Sequence, residues 1–258
     1  MKGKIGLVLS GGGTKGIAEA GVLQFLEEKN IHPEVIAGTS AGAIVGGLYA
    51  FGKSPNEILD FFKSVYFFNW KHFTLTKPGF INSDAFRLYL KPIIGEIKIK
   101  DLKKELIINA TDLIQGETFV FDGNDYLLDA IIASCSVPGL ASPFKKDELL
   151  LSDGGILNNF PSNLIKEKCN KMIGVYVAPL QDVENNQLTS IKAVASRAYE
   201  LLSHSIENYK FKDCDWLISP KELSNYGMFE SNKTRMEELF KLGYSEAEKT
   251  FPESFLAE

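Results

Sequence analysis

Histidine is scarce in this chain: His32, His72 and His204 are the only three among 258 residues. A hydroxyl nucleophile most often passes its proton to a histidine, so a site here has few places to find one. Cysteine is equally sparse. Cys135, Cys169 and Cys214 are odd in number and irregular in spacing, which argues against a disulfide framework and for reduced thiols packed as small apolar groups. Nowhere do about eighteen apolar residues follow one another, so no segment is expected to cross a bilayer as a helix, although the surface can still rest on one. The apolar run Ile5-Gly6-Leu7-Val8-Leu9 is too short for the core of a secretion signal. No block of Lys and Arg occurs and the net charge is -5, which removes the overall basic field that nucleic-acid binding needs. From these absences a soluble, cytoplasmic protein is expected, able to touch a membrane peripherally, with neither signal peptide nor transmembrane helix and no nucleic-acid partner.

What is present is a large apolar fraction, 45% of residues, together with 22 glycines. That suffices for one generous α/β core, and no repeat or low-complexity linker divides the chain. A single domain is therefore expected over residues 1–258. Its motif-bearing core runs from about residue 4 to about 177, followed by a C-terminal elaboration of helices and strand from about 178 to 258.

The stretch that organises the rest is Gly38-Thr39-Ser40-Ala41-Gly42. It lies between the strand pattern Val35-Ile36-Ala37 and the helix pattern Ala43-Ile44-Val45-Gly46-Gly47-Leu48. Strand, G-x-S-x-G, helix is the setting of a nucleophile elbow, in which small flanking residues let strand and helix approach and a tight turn projects the serine. Ser40 is the candidate nucleophile. The N–H of Ala41, at the helix start, is a candidate donor to negative charge developing beside it. A merely structural turn is the competing reading.

The first strand pattern, over residues 5–9, ends in Ser10-Gly11-Gly12-Gly13-Thr14-Lys15-Gly16 and is followed by a helix with Ile17, Val22, Leu23, Phe25 and Leu26 on its apolar side. The glycines also satisfy the dinucleotide fingerprint G-x-G-x-x-G. That fingerprint expects an acidic residue at the end of the second strand, where Gly38-Thr39-Ser40 stands instead. A Walker loop fails as well, because Gly16 follows Lys15 where Ser or Thr is needed. What remains is a set of exposed N–H groups of Gly11, Gly12 and Gly13 suited to an oxyanion hole, with a plain tight turn as the alternative.

Farther along, Ser54-Pro55-Asn56-Glu57 is a capping box opening a helix. Tyr66, Phe67, Phe68, Trp70 and Phe73 crowd together, either as packing against the sheet or as a cap over an acyl-chain pocket or a membrane-touching patch. A short helix is expected over 83–90 with Ser83 as its N-cap. Strands are expected over 106–111 and 117–121, paired as a hairpin through Gln115-Gly116. After a helix over 126–134, the apolar Leu149-Leu150-Leu151 delivers Asp153 to Gly154-Gly155 at the end of a strand. Helices follow over 161–168, 189–209 and 234–249, with strands over 172–177 and 216–219. The long helix places Ile191, Val194, Ala195, Ala198, Leu201, Leu202 and Ile206 on one face, the spacing of a helix packed on a sheet. Arg197, Glu200, His204 and Glu207 trace the opposite face, expected to be solvated.

That stripe makes His204 a surface residue, although it is the only histidine far enough along for the order serine, acid, histidine. His32 precedes Pro33 in a turn, and His72 stands in the wrong order. The surviving candidate base is a carboxylate acting directly on Ser40, and Asp153 is the one presented by a strand and a glycine turn. Asp-Gly is also the commonest turn dipeptide, which is the competing reading of Asp153.

Taken in order, the Gly-rich loop, the elbow and the Asp153-Gly154-Gly155 turn make this chain resemble the patatin-like phospholipase family, and Ala133-Ser134, Pro138, Pro143, Asn158-Asn159 and Pro161 look like that family's flanks. The resemblance is close from Lys4 to about Val177 and looser beyond. It implies a three-layer α/β sandwich with a mostly parallel central sheet and helices on both faces. It also implies that Ser40 attacks an acyl ester, that Asp153 accepts its proton and that amides of Gly11, Gly12 and Gly13 hold the oxyanion. Lys15 fills a place often taken by Arg or Lys, and Gly16, Gly38, Gly42, Gly154 and Gly155 support the motifs. No cofactor and no metal are implied, because backbone donors meet the developing charge. The implied substrate is a lipid acyl ester, cleaved to a free fatty acid and an alcohol or lysophospholipid. The same dyad suits an esterase, thioesterase or acyltransferase on other substrates, and a regulatory protein can keep the fold without the chemistry. Oligomeric state is left open.

Overall fold

The computed structural model describes residues 3–65, 85–180 and 182–255. Its strands are β1 (Ile5–Leu9), β2 (Val35–Gly38), β3 (Glu105–Asp112), β4 (Glu117–Val120), β5 (Phe144–Lys146), β6 (Leu149–Asp153), β7 (Lys171–Val175) and β8 (Trp216–Ile218). They form one sheet in the order β5-β6-β3-β2-β1-β7-β8, with β4 paired to β3. From β3 to β8 the pairs are parallel, whereas β4 and β6 join the far half of β3 antiparallel. The helices are α1 (Ile17–Glu28), α2 (Ala41–Phe51), α3 (Pro55–Ser64), α4 (Ala85–Ile94), α5 (Leu127–Ser134), α6 (Ile191–Glu207) and α7 (Lys233–Thr250).

The central strands are continuous apolar runs because both of their faces are covered. Leu7, Leu9 and Ile36 enter a large core shared with α1, α2, α3, α5 and α7. Their neighbours Val8, Val35 and Ala37 point the other way, into a smaller core with Phe160, Ile165 and Tyr176. That second face is covered by 3-10 turns at Ser162–Leu164, Lys166–Lys168 and Asn208–Asp213. The helix expected over 161–168 is thus two short turns. Only Ile165 reaches the core from its second half, while Lys166, Glu167 and Lys168 are exposed, too little burial to hold a continuous helix so short.

The hairpin of β3 and β4 has the expected pairing, with Asp112 opposite Glu117. At the start of α3, the Glu57 N–H donates to Ser54 Oγ and the Ser54 N–H donates to a Glu57 carboxylate oxygen, completing the capping box. The fourth helix runs later than expected, over Ala85–Ile94. Its expected cap Ser83, the aromatic cluster at 66–73 and His72 lie outside the described residues.

α6 departs most from expectation. Its apolar face looks outward, with Ile191 92% and Leu202 66% exposed, while Glu207 on the polar face is 1% exposed. The cause is local hydrogen bonding. The Glu207 carboxylate accepts the N–H groups of Asn159 at 2.9 Å and Phe160 at 3.0 Å, and Lys210 Nζ donates to it at 2.8 Å. A buried carboxylate with three charge-assisted bonds holds the helix by its polar side. The sheet face it would otherwise cover is already closed by the rings of Phe160, Tyr176 and Phe211.

Replacing Ser54 by Ala removes one acceptor of the capping box and is expected to lower stability by about 1 kcal/mol. Urea unfolding followed by circular dichroism measures it, and an unchanged midpoint would show that α3 is held by packing alone.

Candidate active site

β2 ends at Gly38, and the chain turns directly into α2. At the turn Ser40 has φ 52 and ψ -115, a conformation non-glycine residues rarely adopt and that costs about 1–3 kcal/mol. Neighbours hold it there. The Ser40 N–H donates to Ser134 Oγ at 2.8 Å, and the Gly42 N–H donates to Thr39 O at 2.8 Å and Ser10 O at 3.2 Å. Glycine is required at 42 because a Cβ there would strike the Leu9 backbone, and Gly38 faces the Gly42 carbonyl just as closely.

Asp153 arrives from another direction. Since β6 runs antiparallel to β3, register rather than strand direction brings it level with the serine: Gly38 pairs with Ile108, and Ala110, two residues on, pairs with Asp153. The result is a hydrogen bond from Ser40 Oγ to Asp153 Oδ2 of 2.7 Å, while Oδ1 accepts the Gly155 N–H at 2.7 Å. Asp153 is 6% exposed. Burial pushes its carboxyl up from 3.8 to about 6, against the downward pull of those two hydrogen bonds. Its backbone is fixed as well, the N–H donating to Ser136 O and the carbonyl accepting Thr111 Oγ1.

A buried side-chain network underlies both residues. Thr39 Oγ1 donates to Asn109 Oδ1 at 2.6 Å, and Asn109 Nδ2 donates to Asn158 O at 3.1 Å. Gly154 packs on Asn109, leaving no room for a side chain. Nothing in local sequence marks Thr39, Asn109 or the burial of Glu207, because Asn109, Asn158, Asn159 and Phe160, which they bond, lie tens of residues away and a lone polar residue in a strand or helix carries no periodic signal. Ser134 and Asn158-Asn159 were visible only as flanks of larger motifs.

The Gly-rich loop lies across the elbow, and Gly16 packs on Ala41. The Gly11 N–H is taken by Asn159 O at 3.1 Å, and Asn159 Nδ2 returns a bond to Gly11 O at 3.3 Å. Gly11 is therefore a fastening point, not an open donor. Among the described residues the N–H groups of Gly12, Gly13 and Ala41 have no hydrogen-bond partner. Gly13 needs its glycine, with φ 61 and the Met228 carbonyl where a Cβ would stand. Gly12, Gly13, Ser40 and Asp153 border a cleft of about 180 Å³, with Ala41 next to Ser40 in the chain. Val137, Leu180, Met228 and Phe229 give it apolar walls, while Lys15 and Glu200 bring opposite charges. Burial pulls the Lys15 ammonium below the ordinary lysine range, and the Glu200 carboxylate opposes that shift.

His204 is half-buried rather than solvated, its Nδ1 3.3 Å from the Tyr176 hydroxyl. Among the described residues it makes no hydrogen bond with Ser40 or Asp153. Cys135, Cys169 and Cys214 are free thiols, and Cys135 is buried with its Sγ directed at Ser40 O. No three His, Cys, Asp or Glu side chains among the described residues converge as a metal site, and no described helix is long and apolar enough to cross a membrane.

A sharply turned serine facing a buried carboxylate at the edge of a mostly parallel sheet places the molecule in the α/β class of elbow-bearing folds. More particularly, the sequence pattern of the patatin-like phospholipases matches residues 7–164, and the chain belongs to that family. It is 31% identical over 190 residues to lysophospholipase NTE1 of Candida glabrata, covering 69% of this chain and 11% of that protein. Against lysophospholipase NTE1 of Meyerozyma guilliermondii it is 35% identical over 186 residues, covering 69% of this chain and 13% of that protein. An uncharacterized NTE family protein of Mycobacterium bovis is 33% identical over 162 residues, covering 61% of this chain and 44% of that protein. The chain thus spans a minor part of the length of these relatives. The crystal structure of VipD from Legionella pneumophila shares the fold, with a TM-score of 0.64, 15% identity and coverage of 97% of this chain and 67% of that one.

The raised carboxyl of Asp153 predicts a pH-dependent stability. A carboxyl whose folded pKa of about 6 exceeds its ordinary 3.8 favours the folded state fully below 3.8 and loses that contribution as pH rises through 6. Asp153→Asn is therefore expected to stabilise the protein at pH 8 relative to wild type more than at pH 4. Denaturant unfolding at the two pH values tests the sign, and equal differences would exclude a strongly raised carboxyl.

Proposed function

We propose that this protein is a serine acyl hydrolase that cleaves lipid acyl esters, of the lysophospholipid or phospholipid class, with Ser40 and Asp153 as its catalytic pair. The observation that carries the reading is the 2.7 Å hydrogen bond from Ser40 Oγ to the buried Asp153 carboxylate, with no histidine interposed. The names of its fungal relatives support the substrate class.

In the first step Ser40 Oγ attacks the acyl carbonyl while its proton passes to Asp153 Oδ2. The carbonyl oxygen, now an oxyanion, is met by the open N–H groups of Gly12, Gly13 and Ala41 and by the positive end of α2. Collapse breaks the ester bond, Asp153 returns the proton to the departing alcohol oxygen, and the acyl group stays on Ser40. Water then attacks that acyl-serine with Asp153 taking its proton, and a second collapse frees the fatty acid and restores the hydroxyl. The Gly155 N–H holds Asp153 Oδ1 in place, so Oδ2 carries the proton traffic. The desolvated carboxylate is a better base than an exposed one, which suits a pair without histidine. Lys15 presents its ammonium to the same cleft and favours substrates with a negatively charged head group.

Ser40→Ala and Asp153→Asn are each expected to lower kcat on a lysophospholipid by at least about 10³-fold while leaving the fold intact. His204→Ala is expected to keep turnover within about tenfold, since among the described residues that ring meets Tyr176 and Phe211 rather than the pair. Near-full activity in Asp153→Asn, or its loss in His204→Ala, would overturn the pairing. Because Asp153 must be ionised to accept a proton, kcat/KM is expected to rise with pH through about 6. A profile flat from pH 5 to 8 would assign the base elsewhere.

A further inference from the structure

Among the described residues, the outer side of α6 carries five of the exposed large apolar side chains, which the chemistry above leaves unused. At about 100° per residue, Ile191, Val194, Ala198, Leu201, Leu202 and Ile206 fall within an arc of about 140°, and no Asp, Glu, Lys or Arg falls between them. Val194, Leu201 and Ile206 are 52%, 46% and 45% exposed, alongside the still more exposed Ile191 and Leu202, and Tyr209 continues the ridge. Such a face on a helix mounted with its polar side inward is the reverse of what a core helix does, and it costs solubility unless something covers it.

Position indicates what that is. The inner side of the same helix contributes Glu200 and Ser203 to the wall of the Ser40 cleft, so the ridge and the cleft are two sides of one rod. Met228 and Phe229, which also border the cleft, are half-exposed. At the carboxyl end of β3, the sheet edge that carries Ser40, the turn residues Leu113 and Ile114 add exposed apolar side chains. Met228 and Phe229 thus set part of the apolar exposure at the mouth of the cleft, and the ridge of α6 lies one helix width from it. A lipid ester resides in an aggregate, not in free solution, so the surface it comes from has to reach that mouth.

We infer that the outer face of α6, with Tyr209 and Met228-Phe229, is a docking surface for a phospholipid bilayer or micelle, laid in the interface one helix width from the cleft that the inner side of α6 walls. The inference rests on the proposed acyl hydrolysis for its choice of occupant. The uncharged stripe makes the attachment one of apolar burial, so it does not depend on anionic lipid.

The test is co-sedimentation with phosphatidylcholine vesicles, using Ser40→Ala protein to prevent turnover, with and without Ile191→Asp plus Leu202→Asp. The double change is expected to weaken partitioning by about tenfold or more, while raising salt from about 0.1 to about 0.5 M leaves the parent's binding nearly unchanged. In a Ser40 background the double variant is expected to lose hydrolysis of vesicle lipid by a similar factor, yet keep its rate on a soluble short-chain p-nitrophenyl ester and its melting temperature. Unchanged partitioning would overturn the inference, as would a requirement for anionic lipid abolished by salt. A fall in melting temperature would show that the face packs within the protein, and conversion of a dimer to a monomer would show that a second copy covers it; either refutes lipid docking. If the Ser40 protein hydrolyses neither ester while the binding contrast persists, the docking surface stands and the hydrolase reading falls.

Discussion

The 2.7 Å hydrogen bond between Ser40 and Asp153 joins side chains 113 residues apart in a place almost closed to water. A strong directional contact between two buried polar groups tolerates little error, and much of the surrounding architecture answers to it. The serine is aimed by a backbone conformation it does not favour, kept there by the Ser134 hydroxyl and by the close passage of α2 over Leu9. The aspartate is set by strand register and anchored through both its N–H and its carbonyl. Thr39, Asn109 and Asn158 tie the two supports together beneath the site. The cost of burying these groups is offset because each finds a partner.

The same arrangement accounts for the state of the carboxyl. Withdrawn from water by burial it is hard to ionise, and only the hydroxyl and one amide N–H oppose that tendency. A group so balanced near neutrality can exchange a proton with a bound reactant at modest cost, which is what the proposed pairing of Ser40 with Asp153 requires of it. The open N–H groups of the glycine loop complete it, and their orientation depends on Asn159, which grips Gly11 from both sides.

Asn159 also joins the C-terminal part of the chain to this centre. Its N–H is held by the buried Glu207 of α6, and Lys210 spans Glu207 and Asn158. A helix late in the sequence is thereby coupled to the loop near its beginning through two residues. Holding α6 by its polar side keeps that loop in register and turns the helix's apolar residues outward, away from the cleft that its inner side walls.

How much of this was legible in sequence follows from the range of the forces involved. The β1 and β2 strands, the elbow, the glycine loop and the Ser54 cap are determined by residues within a few positions of one another, and chain chemistry alone specifies them. Asp153 could be read as the end of a strand before a glycine turn, but the antiparallel direction of β6 and the register that meets Ser40 depend on pairing with β3, far away in sequence. For α6 the sequence determined which residues share a face, since helical periodicity is intrinsic to the backbone. Which face lies inside was decided only in the folded protein. There the amides of Asn159 and Phe160 needed an acceptor that Glu207 could supply, and the sheet face was already filled by aromatic rings.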